Sequence, residues 1–156
     1  MIFQVLINQI TTLFVSVNLL TGLSFDSPIT SYMYGGSQDD FFISLAGGQR
    51  TIALKPKRKD IDSNLLVITE TGKYYFYVKS DESRPHQFIE VTRGEINSAY
   101  RVIKKVGTVE LWEGSSSVMV VNHGREAVKV NDTLVATKEY FSKGIPLIIN
   151  GKRELN

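Results

Sequence analysis

The chain contains no cysteine. That excludes a disulfide framework, a thiolate metal site and a cysteine nucleophile. Histidine is nearly as scarce: His86 and His123 stand 37 positions apart, outside any ligand-spaced cluster. Zinc or triad chemistry needs several convergent ligands, or a base beside a nucleophile, so no metal, cofactor or catalytic residue is expected. Asp39-Asp40 and Asp60-Asp62 lack the alternating oxygen ligands, central glycine and closing glutamate of a calcium loop, and read as solvated turns. Gly35-Gly36 and Gly47-Gly48 do not open a helix after a strand, so they read as turn glycines and not as a phosphate cradle.

Charge is unevenly placed. Positions 1–54 carry one basic residue, Arg50, and three acids, Asp26, Asp39 and Asp40, while the other 102 residues hold seventeen basic and thirteen acidic side chains. A third of the chain with so little charge must hide its surface. It is either an ordinary buried sheet or the core of an interface, which is depleted in charge in the same way. Nothing basic precedes Arg50, so the N-terminus lacks the n-region of a signal peptide. Gln4, Asn8, Gln9, Thr11, Thr12, Ser16 and Asn18 interrupt what would need to be about 20 apolar residues in a membrane helix. The expectation is a mature, soluble protein. The net charge of +2 names no partner.

The apolar residues repeat with period two. Leu13, Val15, Val17 and Leu19 alternate with Phe14, Ser16 and Asn18, a strand pattern that puts the second set outward. Short strands follow at 29–34, 41–45 and 51–54, punctuated by the paired glycines and Pro56. Thr71-Gly72 joins two nearly continuous apolar runs, 65–69 and 74–78, as a hairpin whose strands would be covered on both faces. The polar stretch 80–85 marks a domain boundary. Beyond it, strands are expected at 86–91, 100–105, 108–112, 117–122, 127–130 and 145–149, with turns at Asn122-His123-Gly124, Asn131-Asp132 and Asn150-Gly151. Residues 137–141 fit one short helix capped by Thr137, and 95–105 fits a strand or a helix. This is an all-β chain, a β-sandwich with at most one or two short helices. It is divided either as two small domains, 1–82 and 83–156, or as one extended sandwich.

Two basic clusters stand out, Lys55, Lys57, Arg58 and Lys59, and Arg101, Lys104 and Lys105. Interspersed acids and near-neutral net charge argue against a nucleic-acid platform. Lysine guarding a sheet edge is the plainer account. Trp112, the single tryptophan, reads as core of the second half.

Several pieces of the first half, taken in order, resemble a known family. They are Gly35-Gly36-Ser37-Gln38-Asp39-Asp40-Phe41-Phe42-Ile43, Thr51-Ile52-Ala53-Leu54-Lys55-Pro56, Asp62-Ser63-Asn64-Leu65-Leu66-Val67-Ile68-Thr69 and Gly72-Lys73-Tyr74-Tyr75-Phe76-Tyr77-Val78. Upstream, Thr21-Gly22-Leu23-Ser24-Phe25-Asp26-Ser27-Pro28-Ile29 fits the strand before the glycine-acid turn. Together they look like the N-terminal domain of the TrbG/CagX-like conjugal transfer family, subunits of the outer-membrane core complex of type IV secretion systems. The resemblance covers about residues 3–80. Ser63 stands where the family usually has threonine. Residues 86–156 depart from the family's C-terminal pattern; there Glu110-Leu111-Trp112-Glu113-Gly114 and Ser142-Lys143-Gly144-Ile145-Pro146-Leu147 resemble the TraK-like branch of the same machinery.

The resemblance implies a periplasmic, outer-membrane-associated structural subunit that assembles as a homo-oligomer. A small outer-membrane lipoprotein and a periplasm-spanning subunit would be its further partners. It implies no catalytic residue, and no direct nucleic-acid contact is expected. Candidate interface residues are Phe3, Val5, Ile7, Phe14 and Asn18 in the uncharged N-terminal segment, with Phe41, Tyr75 and Tyr77. Two rivals stand beside it: a generic β-sandwich adhesin or phage-type structural protein, which would share the fold, and an enzyme or carbohydrate-binding module using Tyr32, Tyr34, Tyr74 and Trp112 as a sugar platform.

Overall fold

The computed structural model describes residues 1–156 and contains seventeen strands and no helix. The first nine strands are β1 (Ile2–Val5), β2 (Ile10–Val15), β3 (Thr21–Phe25), β4 (Ile29–Tyr34), β5 (Phe41–Ala46), β6 (Thr51–Pro56), β7 (Asp62–Thr69), β8 (Lys73–Ser80) and β9 (Phe88–Arg93). The remaining eight are β10 (Arg101–Val106), β11 (Val109–Glu113), β12 (Ser117–Asn122), β13 (Val128–Val130), β14 (Thr133–Val135), β15 (Lys138–Ser142), β16 (Leu147–Ile149) and β17 (Lys152–Leu155). The all-β sandwich expected from the sequence is the fold observed.

The chain divides into two compact units, and the division is not the one expected. Unit 1 is Met1–Ile2 with Ile10–Thr92, and unit 2 is Phe3–Gln9 with Arg93–Asn156. The sequence boundary at 82/83 fails because β9 lies parallel to β3, with Leu23 opposite Ile89 and Phe25 opposite Val91. The polar stretch before β9 is no free linker either. The Asp81 N–H donates to the Val15 carbonyl at 3.0 Å, and the His86 N–H to the Phe14 carbonyl at 2.8 Å.

Unit 1 stacks β9-β3-β6-β5, four strands of the five-stranded sheet β1-β9-β3-β6-β5, against the sheet β2-β8-β7-β4. Each sheet contains one hairpin, β5-β6 or β7-β8, and one parallel pair, β3 with β9 or β2 with β8. The period-two pattern explains the layers: Leu65, Val67, Phe76 and Val78 turn inward and are buried, as are Leu23, Ile52 and Leu54. Each such side chain contributes roughly 1.5–3 kcal/mol by leaving water. Buried Tyr74 packs against Phe25, with ring centroids 4.9 Å apart. The β7-β8 turn is closed by Thr69, whose hydroxyl accepts the Thr71 and Gly72 N–H groups at 3.3 and 3.1 Å.

Unit 2 contains the sheets β10-β11-β12-β15 and β14-β13-β16-β17 around Val109, Leu111, Val120, Val130, Ile145 and Leu147. Its N-terminal segment runs beside the end of β15: Gln4 and Lys143 exchange backbone hydrogen bonds at 2.8 and 2.9 Å, and the Leu6 N–H donates to Ser142 Oγ at 2.8 Å. The helix expected at 137–141 is instead strand β15, held by pairing with β12 from Ser117↔Ser142 to Val121↔Lys138. Residues 101–106 resolve as strand and not helix, paired to β11.

Candidate functional site

Half of each strand in the sheet β2-β8-β7-β4 faces away from the core. The ladder aligns Met33 with Leu66, Leu66 with Tyr75, and Tyr75 with Ile10. Directly opposed residues share a face, so these four side chains form one apolar row across all four strands. Met33 is 65% exposed and Tyr75 37%, while Leu66 and Ile10 are half-buried. Tyr77, opposite Asn64, begins a second row. The face holds a shallow groove of about 460 Å³ lined by Met33, Tyr34, Asn64, Leu66, Tyr75 and Tyr77. Alternation along β8 puts Lys73 and Lys79 on the same face, one beyond each tyrosine. An apolar centre with charge confined to its ends is the anatomy of a protein interface.

The loop that leaves β4 is clasped by side chains. The Tyr34 hydroxyl donates to Asp40 Oδ2 at 2.8 Å, and Arg58 Nε donates to Asp40 Oδ1 at 2.7 Å. Asp40 is buried, so it is not the solvated turn residue expected from sequence. The Arg58 guanidinium, then the Tyr34 hydroxyl, hold its carboxyl below the usual carboxylate range. Burial, helped by the Asp40 carboxylate, pushes the Tyr34 phenol up to about 12. Gly36 lets the loop close: a Cβ there would lie 2.6 Å from both Tyr34 Oη and Asp40 Oδ2. The clasp fixes a groove of about 390 Å³ between β4 and β5, lined by Tyr32, Tyr34, Gly36, Gln38, Phe41 and Ile43 among others.

The structure separates the expected interface residues. Tyr75 and Tyr77 lie on the apolar face. Ile7, 73% exposed, and Asn18, also exposed, lie in turns. Phe3, Val5, Phe14 and Phe41 are buried in the chain's own interior and do not face outward. Phe3 and Val5 fill unit 2; Phe41 meets Tyr34 edge-on with centroids 5.1 Å apart. Phe14 was assigned outward by alternation, but its ring lies 5.7 Å from buried His86, whose Nδ1 accepts the Phe14 N–H at 3.0 Å. The sequence missed Met33, Leu66 and Ile10. Leu66 had a signal in the continuous apolar run of β7, which leaves Leu66 and Ile68 over once the inward set is assigned.

Other expected chemistry is also placed. Tyr74 is buried, so the four-aromatic sugar platform lacks one of its members. Trp112 is half-buried, and its indole N–H has no hydrogen-bond partner. His123 is exposed and contacts the Glu110 carboxylate. No group of three or more His, Cys, Asp or Glu side chains gathers as a metal site. No family model and no curated protein matches the chain.

Proposed function

We propose that this protein is a non-enzymatic structural subunit that assembles through protein–protein contacts, with the outward face of β2-β8-β7-β4 as its main contact surface. The observation that carries the reading is the row Met33, Leu66, Tyr75 and Ile10: four apolar side chains aligned by register, with no charge among them. Tyrosine and methionine are enriched at interface centres, and lysine is depleted there. The resemblance in the first half supplies the setting. The subunit belongs to an envelope-spanning secretion or conjugation complex, sits in the periplasm beside the outer membrane, and contacts further copies of itself, a small lipoprotein and a periplasm-spanning subunit.

The test is the double variant Leu66→Lys, Tyr75→Lys. Both side chains point away from the core, so the thermal melt is expected to stay close to that of the unaltered chain. Assembly, read by light scattering on the purified protein and by co-purification from cells, is expected to fail. A double variant that assembles at normal stoichiometry with every partner overturns the reading.

A further inference from the structure

Open sheet edges invite another chain to pair, and proteins usually block them with charge, proline, short length or a covering segment. Most edges here follow that rule. β10 carries Arg101, Lys104 and Lys105, β17 opens with Lys152-Arg153-Glu154, and β14 has three residues. The open edge of β2 is occupied at Phe14 by His86, whose backbone N–H donates to the Phe14 carbonyl and whose Nδ1 accepts the Phe14 N–H. Strands β4 and β5 break the rule. They read Ile-Thr-Ser-Tyr-Met-Tyr and Phe-Phe-Ile-Ser-Leu-Ala, six residues each, with no charge and no proline. Both are the outermost strands of their sheets.

The phase of the open edge can be fixed. The Lys57 N–H donates to the Asp40 carbonyl at 2.7 Å, making Asp40 and Lys57 a hydrogen-bonded pair. In an antiparallel ladder such pairs alternate, so the backbone N–H and C=O of Phe41, Ile43 and Leu45 point away from β6. One side of this edge is the groove between β4 and β5. On the other side Phe42 is 62% exposed, and Lys57 Nζ sits 4.4 Å above its ring, leaning over the edge strand. Lys55 is opposite Phe42. Arg58 is neutralised by Asp40, but no carboxylate lies within ion-pair distance of Lys55, Lys57 or Lys59.

We infer that β5 accepts an added strand from a partner protein, an extended segment that alternates carboxylate and apolar side chains. Its backbone pairs with Phe41, Ile43 and Leu45. Its carboxylates lie over Phe42 within reach of Lys57, and its apolar side chains enter the groove beside Tyr34 and Ile43. Backbone pairing supplies affinity and the alternating side chains supply selectivity. A nucleic-acid strand would use the lysines and leave the backbone groups of the edge unmet. The inference rests on the reading of the chain as a protein-binding subunit, but it uses a different surface.

The probe is a synthetic peptide of alternating valine and glutamate, with an alternating valine and lysine peptide as control. Both are titrated calorimetrically into the full chain. The glutamate peptide is expected to bind roughly tenfold more tightly than the control, as charge complementarity across one interface requires. Ile43→Pro removes an N–H that faces outward, so it is expected to abolish binding. Should that variant melt early, Lys57→Glu, a surface exchange, carries the test: it should weaken the glutamate peptide roughly tenfold and favour the lysine peptide. Equal binding of both peptides, binding of neither, or affinity unchanged in both variants overturns the inference. So does displacement of the peptide by oligothymidylate, or self-association of the free chain that Ile43→Pro abolishes. If the peptide fails while Leu66→Lys, Tyr75→Lys still blocks assembly, the edge site is wrong and the proposed function stands.

Discussion

Tyr34 donates its hydroxyl to Asp40 at 2.8 Å, six positions along the chain, and the bond closes the loop between two strands of opposite sheets. Arg58 holds the other carboxylate oxygen. Because the folded Asp40 titrates below its ordinary value of about 3.9, its contribution to stability is complete above that pH and is lost as pH falls through the folded value. Acid unfolding of the unaltered chain should therefore steepen below about pH 4, and Asp40→Asn should flatten that limb while lowering the melting temperature at neutral pH. The Tyr34 phenol has the opposite sign. Raised to about 12, it stabilises fully below the unfolded value of about 10, and that share is lost as pH rises through 12. Tyr34→Phe should remove this alkaline component from the stability profile. Thermal melts across pH check both.

Gly36 tests the clasp from the backbone side. Its φ is not positive, so strain is not the issue; space is. An added methyl would press on the two hydrogen-bonded atoms of Tyr34 and Asp40 at once. Gly36→Ala is expected to cost about 1–3 kcal/mol, the range for overpacking a closed site. In the Asp40→Asn background the penalty should shrink, because the bond being crowded is already weakened. Urea unfolding of the single and double variants measures the coupling.

Phe14 and Asn18 look equivalent on a strand drawn from the sequence, yet they should respond differently to lysine. Phe14 is buried against His86, and Phe14→Lys is expected to unfold unit 1 or to yield insoluble protein. Asn18 lies in the turn after β2, and Asn18→Lys should leave the melt within about 0.5 kcal/mol of the unaltered chain, as surface changes usually do. Equal outcomes would refute the placement of Phe14.

His86 carries one checkable bond. Its Nδ1 accepts the Phe14 N–H, so His86→Leu leaves a buried donor unmet at a cost of about 1–3 kcal/mol. His86→Asn offers an oxygen near the same place and should recover part of the loss. Denaturant midpoints for the two variants decide it.

How much of this was legible beforehand varies with the range of the interaction involved. Strands β4 and β12 coincide with the runs 29–34 and 117–122 because alternation and flanking turn residues are local signals. β17 went unread because Lys152-Arg153-Glu154 resembles a solvated tail, although Asn150 and Gly151, at φ 48° and 85°, form the turn that folds it back on β16. The helix expected at 137–141 had a good cap and lost to ladder bonds with β12, some twenty positions away. Phe14 and Ser16 were assigned outward because nothing nearby in sequence covers them; the covering residues, His86 and Glu82, stand 72 and 66 positions later. Lys55 and Lys57 looked like guards of an edge, but β6 lies between β3 and β5, and the edge belongs to β5. Of the proposed contact surface, Tyr75 and Tyr77 could be chosen from composition. Met33 and Ile10 needed the register.

The path of the first nine residues sets an order of events during synthesis. Gln4 is synthesised well before its backbone partner, Lys143. Until unit 2 has been made, Phe3, Val5 and Leu6 lack the interior they enter, whereas β2 to β9 can already close on themselves. A nascent chain halted after β9 should hold one finished sandwich with β1 able to pair with β9 but its apolar side chains uncovered, the form in which a holding chaperone would find it.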